Sequence, residues 1–122
     1  LAFITKKRIE NAKLFDQFLK DVPEINVPKR LPYNKEVFHL YSFQAKQRNK
    51  LALYLQENGI DAKIHYPIPM HLQPAAKKFN YKLGDFPMAE KLSSSTISLP
   101  VHEYVTDEAI YNISNLIKEF FK

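Results

Sequence analysis

The stretch HYPIPMHLQP, residues 65–74, places His65, Tyr66 and His71 among three prolines. Imidazoles this dense serve metal binding, proton transfer or hydrogen bonding to a ligand, and the spacing discriminates among them. Two histidines that share one ion normally lie four apart on a helix or close together in a short loop. His65 and His71 are six apart. Pro67 and Pro69 favour polyproline geometry, whose rise of about 3.1 Å per residue separates the two rings by about 19 Å. Each ligating nitrogen must come within about 2.1 Å of zinc. A shared ion would demand a sharp fold-back of the loop, so no metal site is expected.

Nucleophilic catalysis is no better served. There is no Gly-x-Ser-x-Gly elbow and no cysteine, and the serines of SSSTIS (93–98) read as a helix end and strand entry. Carboxylates are scattered over predicted exposed faces, without a pair for acid–base work. What remains is a rigid loop presenting donors and a flat apolar face to a ligand or another domain. Proline lowers the entropy lost in ordering such a loop. A proline-rich surface loop with one histidine satisfied by backbone fits the same residues.

The elements that carry this loop follow from periodicity. Residues 5–20, TKKRIENAKLFDQFLK, repeat Ala12, Phe15 and Leu19 at helical spacing. DVPEINVPKRLP ends that helix, because three prolines in twelve residues cannot continue it. EVFHLYSF (36–43) reads as a strand with Phe38 and Leu40 on one face. Val37, His39, Tyr41 and Phe43 take the other, so both faces are expected to be covered. AKQRNKLALYLQENG follows as a helix with a Leu51, Tyr54, Leu55 stripe and Gly59 as its stop. IDAKI (60–64) alternates as a half-exposed strand. Residues 65–95 form a long excursion with short helices near PAAKKF and PMAEKLSS. TISLPV returns as a strand, Ile97 and Leu99 pointing one way. His102, in the turn beyond Pro100, reads as a surface or capping residue. Thr106 caps a last helix whose first turn holds Asp107 and Glu108; its stripe is Ile110, Ile113, Ile117 and Phe120.

This order predicts an α+β, two-layer fold. A small, mostly antiparallel sheet of about three strands in spatial order 2-3-1 carries helices on one face. At 122 residues, with 45% hydrophobic and 25% charged residues, the chain is sized for a single domain, 1–122. No apolar run approaches the roughly 18 residues of a membrane span. The opening LAFITKKRIE is too poor in apolar residues for a secretory signal, lacks an initiator Met and begins inside a helix. A piece of a longer protein is therefore expected. Without cysteine there are no disulfides, thiolate chemistry or Cys-ligated zinc, which fits a reducing compartment. The formal charge of +5 suits a nucleic-acid or phosphate partner, or offsets an acidic remainder.

NGIDAKIHYPIPMHLQPA together with FPMAEKLSSSTISLPVHEYVTDEAI resembles the C-terminal part of the DegT/DnrJ-type nucleotide-sugar aminotransferases, pyridoxal-phosphate enzymes of the aspartate-aminotransferase fold (fold type I). RIENAKLF, VFHLYSF and RNKLALYLQENGI resemble the same family in the same order, so the likeness covers residues 8–121. It implies a C-terminal small domain, with 1–20 as the end of an interdomain helix and 65–95 as a long substrate-side loop. The parent enzyme would move an amino group, usually from glutamate, to a keto group on a nucleotide-linked sugar for surface glycans or antibiotics. The Schiff-base lysine and most cofactor-binding groups would lie upstream in a large domain absent from this chain. The resemblance thus implies no catalytic, cofactor-binding or metal residue here, and an inactive fragment. His65 and Tyr66, and with them His71, would contact the sugar and its pyrophosphate. A cytoplasmic homodimer is implied for the full protein, with neither nucleic-acid nor membrane partner. Lys6, Lys7, Lys77 and Lys78 sit in polar runs and read as a solvated face.

Two other readings stay open on sequence alone. One is a free-standing basic module using FHLYSFQAKQR as an aromatic and basic surface for single-stranded nucleic acid. The other is a non-catalytic relative kept for regulation or dimer assembly. His39 and Tyr41, sharing a strand face, are expected to pack against the missing domain.

Overall fold

The computed structural model describes all residues, 1–122. Helix α1 (Ala2–Leu19) leads to a two-residue strand β1 (Ile25–Asn26) and then to β2 (Tyr41–Ala45). Helix α2 (Arg48–Glu57) follows, then 3-10 turns at Met70–Leu72 and Pro74–Phe79. Helix α3 (Pro87–Ser95) runs straight into β3 (Thr96–Leu99), and α4 (Asp107–Phe120) closes the chain. The sheet is antiparallel in the order β1-β2-β3.

The expected order 2-3-1 holds for the three segments named from sequence. The 60–64 segment meets β3 through a single antiparallel bridge, Lys63 to Ser98, and β3 then pairs with β2. This segment stays short of a strand because its backbone is already engaged. Gly59, at φ 78°, lets the Ile60 N–H return to the Leu55 carbonyl at 2.9 Å, and the Gln56 side chain donates to the Ala62 carbonyl at 2.7 Å. Strand β1 was not foreseen. Pro23 and Pro28 bracket it and hold it to two residues at the sheet edge.

The larger correction concerns residues 36–40, expected to open the strand. They lie outside it, and Phe38 sits at φ 51° in the left-handed region. Arg8 of α1 explains this. Its Nη1 donates to the carbonyls of Phe38 (3.2 Å) and His39 (2.9 Å), which therefore do not serve a ladder. The expected second apolar face, Phe38 and Leu40, does not form. The register pairs Tyr41 with Leu99 and Phe43 with Ile97 on one face, and Ser42 with Ser98 and Gln44 with Thr96 on the other. One face of the ladder is apolar and the other is a row of hydroxyls and an amide.

The apolar face is buried under the three long helices. Ala12, Phe15 and Leu19 of α1, Leu51, Ala52 and Leu55 of α2, and Ile110, Ile113 and Ile117 of α4 join Tyr41, Phe43, Ala45, Ile97 and Leu99 in one core. Tyr41 therefore packs within this chain rather than awaiting another domain, and His39 is exposed. Thr106 caps α4 as expected, its Oγ1 accepting from the Ala109 N–H at 3.1 Å.

Tyr41 carries a hydroxyl into this core. It stacks on Phe15 at 4.7 Å and donates to Asp16 Oδ1 at 2.8 Å. Arg30 grips both oxygens of Asp16 at 3.0 Å, reaches Glu36 at 2.8 Å, and lies 4.9 Å from the Phe38 ring. Burial, reinforced by the Asp16 carboxylate, pushes the Tyr41 phenol far above its usual value, so it remains a donor. A proline-rich connection with little regular structure is thereby fastened to α1 and β2. Replacing Tyr41 with Phe removes one buried, charge-assisted bond. The unfolding free energy from urea denaturation is expected to fall by about 1–2 kcal/mol with no change in m-value.

Candidate functional site

The hydroxyl face of the sheet is where the histidine loop begins. Lys63 and Ser98 exchange both backbone hydrogen bonds at 2.9 Å. Two residues on, by the period of an extended chain, His65 falls on the same side as Ser98. Its Nδ1 lies 3.3 Å from Ser98 Oγ, which is 2.9 Å from Ser42 Oγ. Ser98 is 2% exposed and Ser42 half-buried, so the ring rests on a hydroxyl pair sunk in the sheet.

Around this pair is an open recess of about 400 Å³. Ser42, Thr96 and Ser98 form its floor, and His65 and Tyr66 one wall. His39 and Leu40, from the turn that Arg8 holds, form a second wall. Leu92 and Ser93, from the last turn of α3, form a third. Buried Arg48 fixes that helix end, donating to the carbonyls of Thr96 (2.6 Å) and Ser93 (2.9 Å), where a cation suits the negative end of the helix dipole.

Tyr66 adopts φ 55° directly before Pro67, a backbone region that costs an aromatic residue about 1–2 kcal/mol. The turn leaves its ring 76% exposed at the mouth of the recess.

His71 does not join His65. Its side chain is 7% exposed, with Nε2 3.0 Å from Glu90 Oε1 and the ring 4.8 Å from Phe86. It belongs to the interior of the 65–95 excursion, between the 3-10 turns and α3. Glu90 also accepts the Gly84 N–H at 2.8 Å and the Phe86 N–H at 3.4 Å. Burial pushes the Glu90 carboxyl up. The bonds from Gly84, His71 and Phe86, with the pull of the imidazole, outweigh it and hold the group below the ordinary carboxylate range. His102 caps a turn, its Nδ1 accepting the Tyr104 N–H at 3.3 Å.

Sequence reasoning placed His65 and Tyr66 at one site and missed the floor beneath them. The available signal was alternation: Ser42 and Gln44 between Tyr41, Phe43 and Ala45, and Thr96 and Ser98 between Ile97 and Leu99. No group of three or more His, Asp or Glu gathers in metal-binding geometry. No helix is long and apolar enough to cross a membrane. Pyridoxal phosphate needs a lysine amine for its aldehyde and donors for its phosphate. No lysine is buried and none lines the recess, so the residues of this chain do not fit that cofactor.

The model of the DegT/DnrJ/EryC1/StrS aminotransferase family matches residues 1–118. A pleiotropic regulatory protein of Geobacillus stearothermophilus is 33% identical, over 97% of this chain and 32% of its own length. The dTDP-3-amino-3,4,6-trideoxy-alpha-D-glucose transaminase of Streptomyces venezuelae is 29% identical over 84% of this chain and 27% of its own. The UDP-2-acetamido-2-deoxy-3-oxo-D-glucuronate aminotransferase of Pseudomonas aeruginosa is 31% identical over 79% and 26%. The crystal structure of S. venezuelae DesV with a ketimine intermediate superposes with a TM-score of 0.91 at 27% identity, over 96% of this chain and 32% of that one. The chain thus spans about a third of the length of the relatives it matches.

Two outcomes test this geometry. Tyr66→Asn relieves the left-handed strain while removing only an exposed ring; urea denaturation should show stability raised by up to about 1 kcal/mol. Because folding lowers the Glu90 pKa, its stabilisation is full above about pH 4.3, the unfolded value, and is lost as pH falls through the lower folded value. Hydrogen-exchange protection at the Gly84 and Phe86 amides should collapse below that pH, and Glu90→Gln should remove the dependence.

Proposed function

The chain belongs to the DegT/DnrJ/EryC1/StrS aminotransferase family, and from that premise we propose that it is the substrate-side small domain, residues 1–122, of an enzyme that aminates a nucleotide-linked keto sugar. The amino group comes from an amino acid, glutamate in this reading. The enzyme is a cytoplasmic homodimer, and pyridoxal phosphate is held by the part of the protein outside this chain. The single observation that carries the reading is the recess, which joins His65 and Tyr66 to the hydroxyl floor in a chain that matches sugar aminotransferases along almost its whole length. By itself the chain has no lysine placed to bind the cofactor, and it is inactive in this reading.

Each residue at the recess has a role it can perform. The His65 ring is braced through Nδ1 and meets the ligand with Nε2. The Tyr66 ring offers a flat apolar surface and a hydroxyl at the mouth. His71, bonded to Glu90, keeps the loop in shape and reaches the ligand only through that shape. The nucleic-acid reading loses its physical basis, because Tyr41 and Phe43 are buried and share no surface with Lys46. A regulatory reading has one observation in its favour, the name carried by the Geobacillus relative.

In the full-length protein, His65→Ala should lower kcat/KM for the sugar nucleotide by roughly tenfold, the equivalent of one good hydrogen bond. The visible absorbance of bound pyridoxal phosphate should be unchanged. Loss of cofactor from that variant would move His65 to a different role. A full-length wild-type protein that never acquires this absorbance would favour the regulatory reading.

A further inference from the structure

The sequence holds one Asn-Gly pair, Asn58 and Gly59, and it lies at the C-terminal cap of α2. Asparagine before glycine is the pairing most prone to lose its side-chain amide, because no side chain on the second residue shields the backbone nitrogen. That nitrogen, once it gives up its proton, attacks Cγ of the asparagine. The N–Cγ bond forms, the Cγ–Nδ2 bond breaks, and Nδ2 takes up a proton and leaves as ammonia. Water then opens the cyclic imide at one carbonyl or the other, leaving isoaspartate or aspartate.

In the folded chain the cap keeps these groups apart. The Gly59 N–H donates to the Gln56 carbonyl at 3.0 Å and the Ile60 N–H to the Leu55 carbonyl at 2.9 Å, the paired bonds of a Schellman motif. The leaving group is held too, since Asn58 Nδ2 donates to the Tyr54 carbonyl at 2.8 Å. Ring closure needs the Gly59 nitrogen to eclipse the Asn58 Cα–Cβ bond, and ψ 17° at Asn58 turns it away from that side chain. Ile60 packs against the core and fastens the motif. Asn58 and Gly59 are themselves exposed, so fraying of this helix end frees both reacting groups in contact with water.

We propose that Asn58 and Gly59 form a modification site gated by the cap. The pair is inert while the Schellman bonds are closed, and it is converted to aspartate or isoaspartate from the locally opened state. The change runs one way. Aspartate places a new negative charge at the negative end of the α2 dipole. Isoaspartate routes the main chain through Cβ, so the two cap bonds no longer re-form in register. The next residues lead to the bridge between Lys63 and Ser98, and the change is felt at the base of the 65–95 excursion. An exposed isoaspartyl carboxylate is the substrate class of a protein carboxyl methyltransferase.

The test compares the full-length protein with the peptide QENGIDA, residues 56–62, at mildly alkaline pH. Peptide mass mapping counts aspartate and isoaspartate at position 58, while hydrogen exchange follows the Gly59 and Ile60 amides. When opening and reclosing outpace the chemistry, the protein reacts at the peptide rate multiplied by its open fraction. The slowing relative to peptide should therefore match the protection factor of the Ile60 amide within about threefold. Ile60→Ala leaves the Asn-Gly pair intact and should speed the reaction at least about fivefold, with protection falling by the same factor. Asn80, exposed but followed by Tyr81, should stay intact in the same digests. Wild type reacting as fast as the peptide overturns the inference, and so does a folded Ile60→Ala variant whose rate is unchanged. Should that variant not fold, wild type in urea below its unfolding transition replaces it: both rates should rise together, and exchange rising alone overturns the inference.

Discussion

The strict alternation of the β2–β3 ladder is the constraint on which the rest of the molecule depends. Because partners in register share a face, Tyr41, Phe43, Ile97 and Leu99 are delivered together to the helices, and Ser42, Ser98, Gln44 and Thr96 together to the opposite side. A slip of one residue would put hydroxyls into the core and strip the recess of its floor. Burial of the apolar face locks the register strongly. The same burial therefore sets the positions of the polar side chains on the back. Core and candidate site are two sides of one ladder.

The arginines of this protein serve its internal architecture. The chain has three arginines, and each ties an irregular segment to a regular one. Arg8 holds the turn at Phe38 and His39, Arg30 fastens the proline-rich connection through Asp16 and Glu36, and Arg48 braces the end of α3. The planar guanidinium suits this work, since it spans two or three acceptors in fixed directions. Two of these arginines determine walls of the recess without lining it.

The excursion 65–95 is stiffened in two different ways. Near the recess, Pro67 and Pro69 and the strained turn at Tyr66 set the direction of the chain. Farther out, His71, Glu90 and the Gly84 and Phe86 amides form a polar knot inside an otherwise apolar loop. Glu90 sits in the first turn of α3, so the knot also fixes where that helix starts. The helix in turn delivers Leu92 and Ser93 to the recess. The outer part of the loop is in this way coupled to the inner part through one helix.

Much of this was legible from residue order. Helical spacing identified α1, α2 and α4, Thr106 and Gly59 marked their caps, and the order of the elements with the right-handed crossover rule gave the sheet order. These are local signals, set by backbone geometry within a few residues. The start of β2 was not legible, because the group that removes Phe38 and His39 from the ladder is an arginine thirty residues earlier. Nor were the partners of His65 and His71, which lie thirty-three and nineteen residues away. Sequence alone determined the three long helices, the central parts of the two main strands and the presence of a polar loop on a stiff stem. Only the tertiary structure decided which side chains meet in the recess, since that depends on strand register and on long-range bonds to backbone carbonyls that leave no periodic trace.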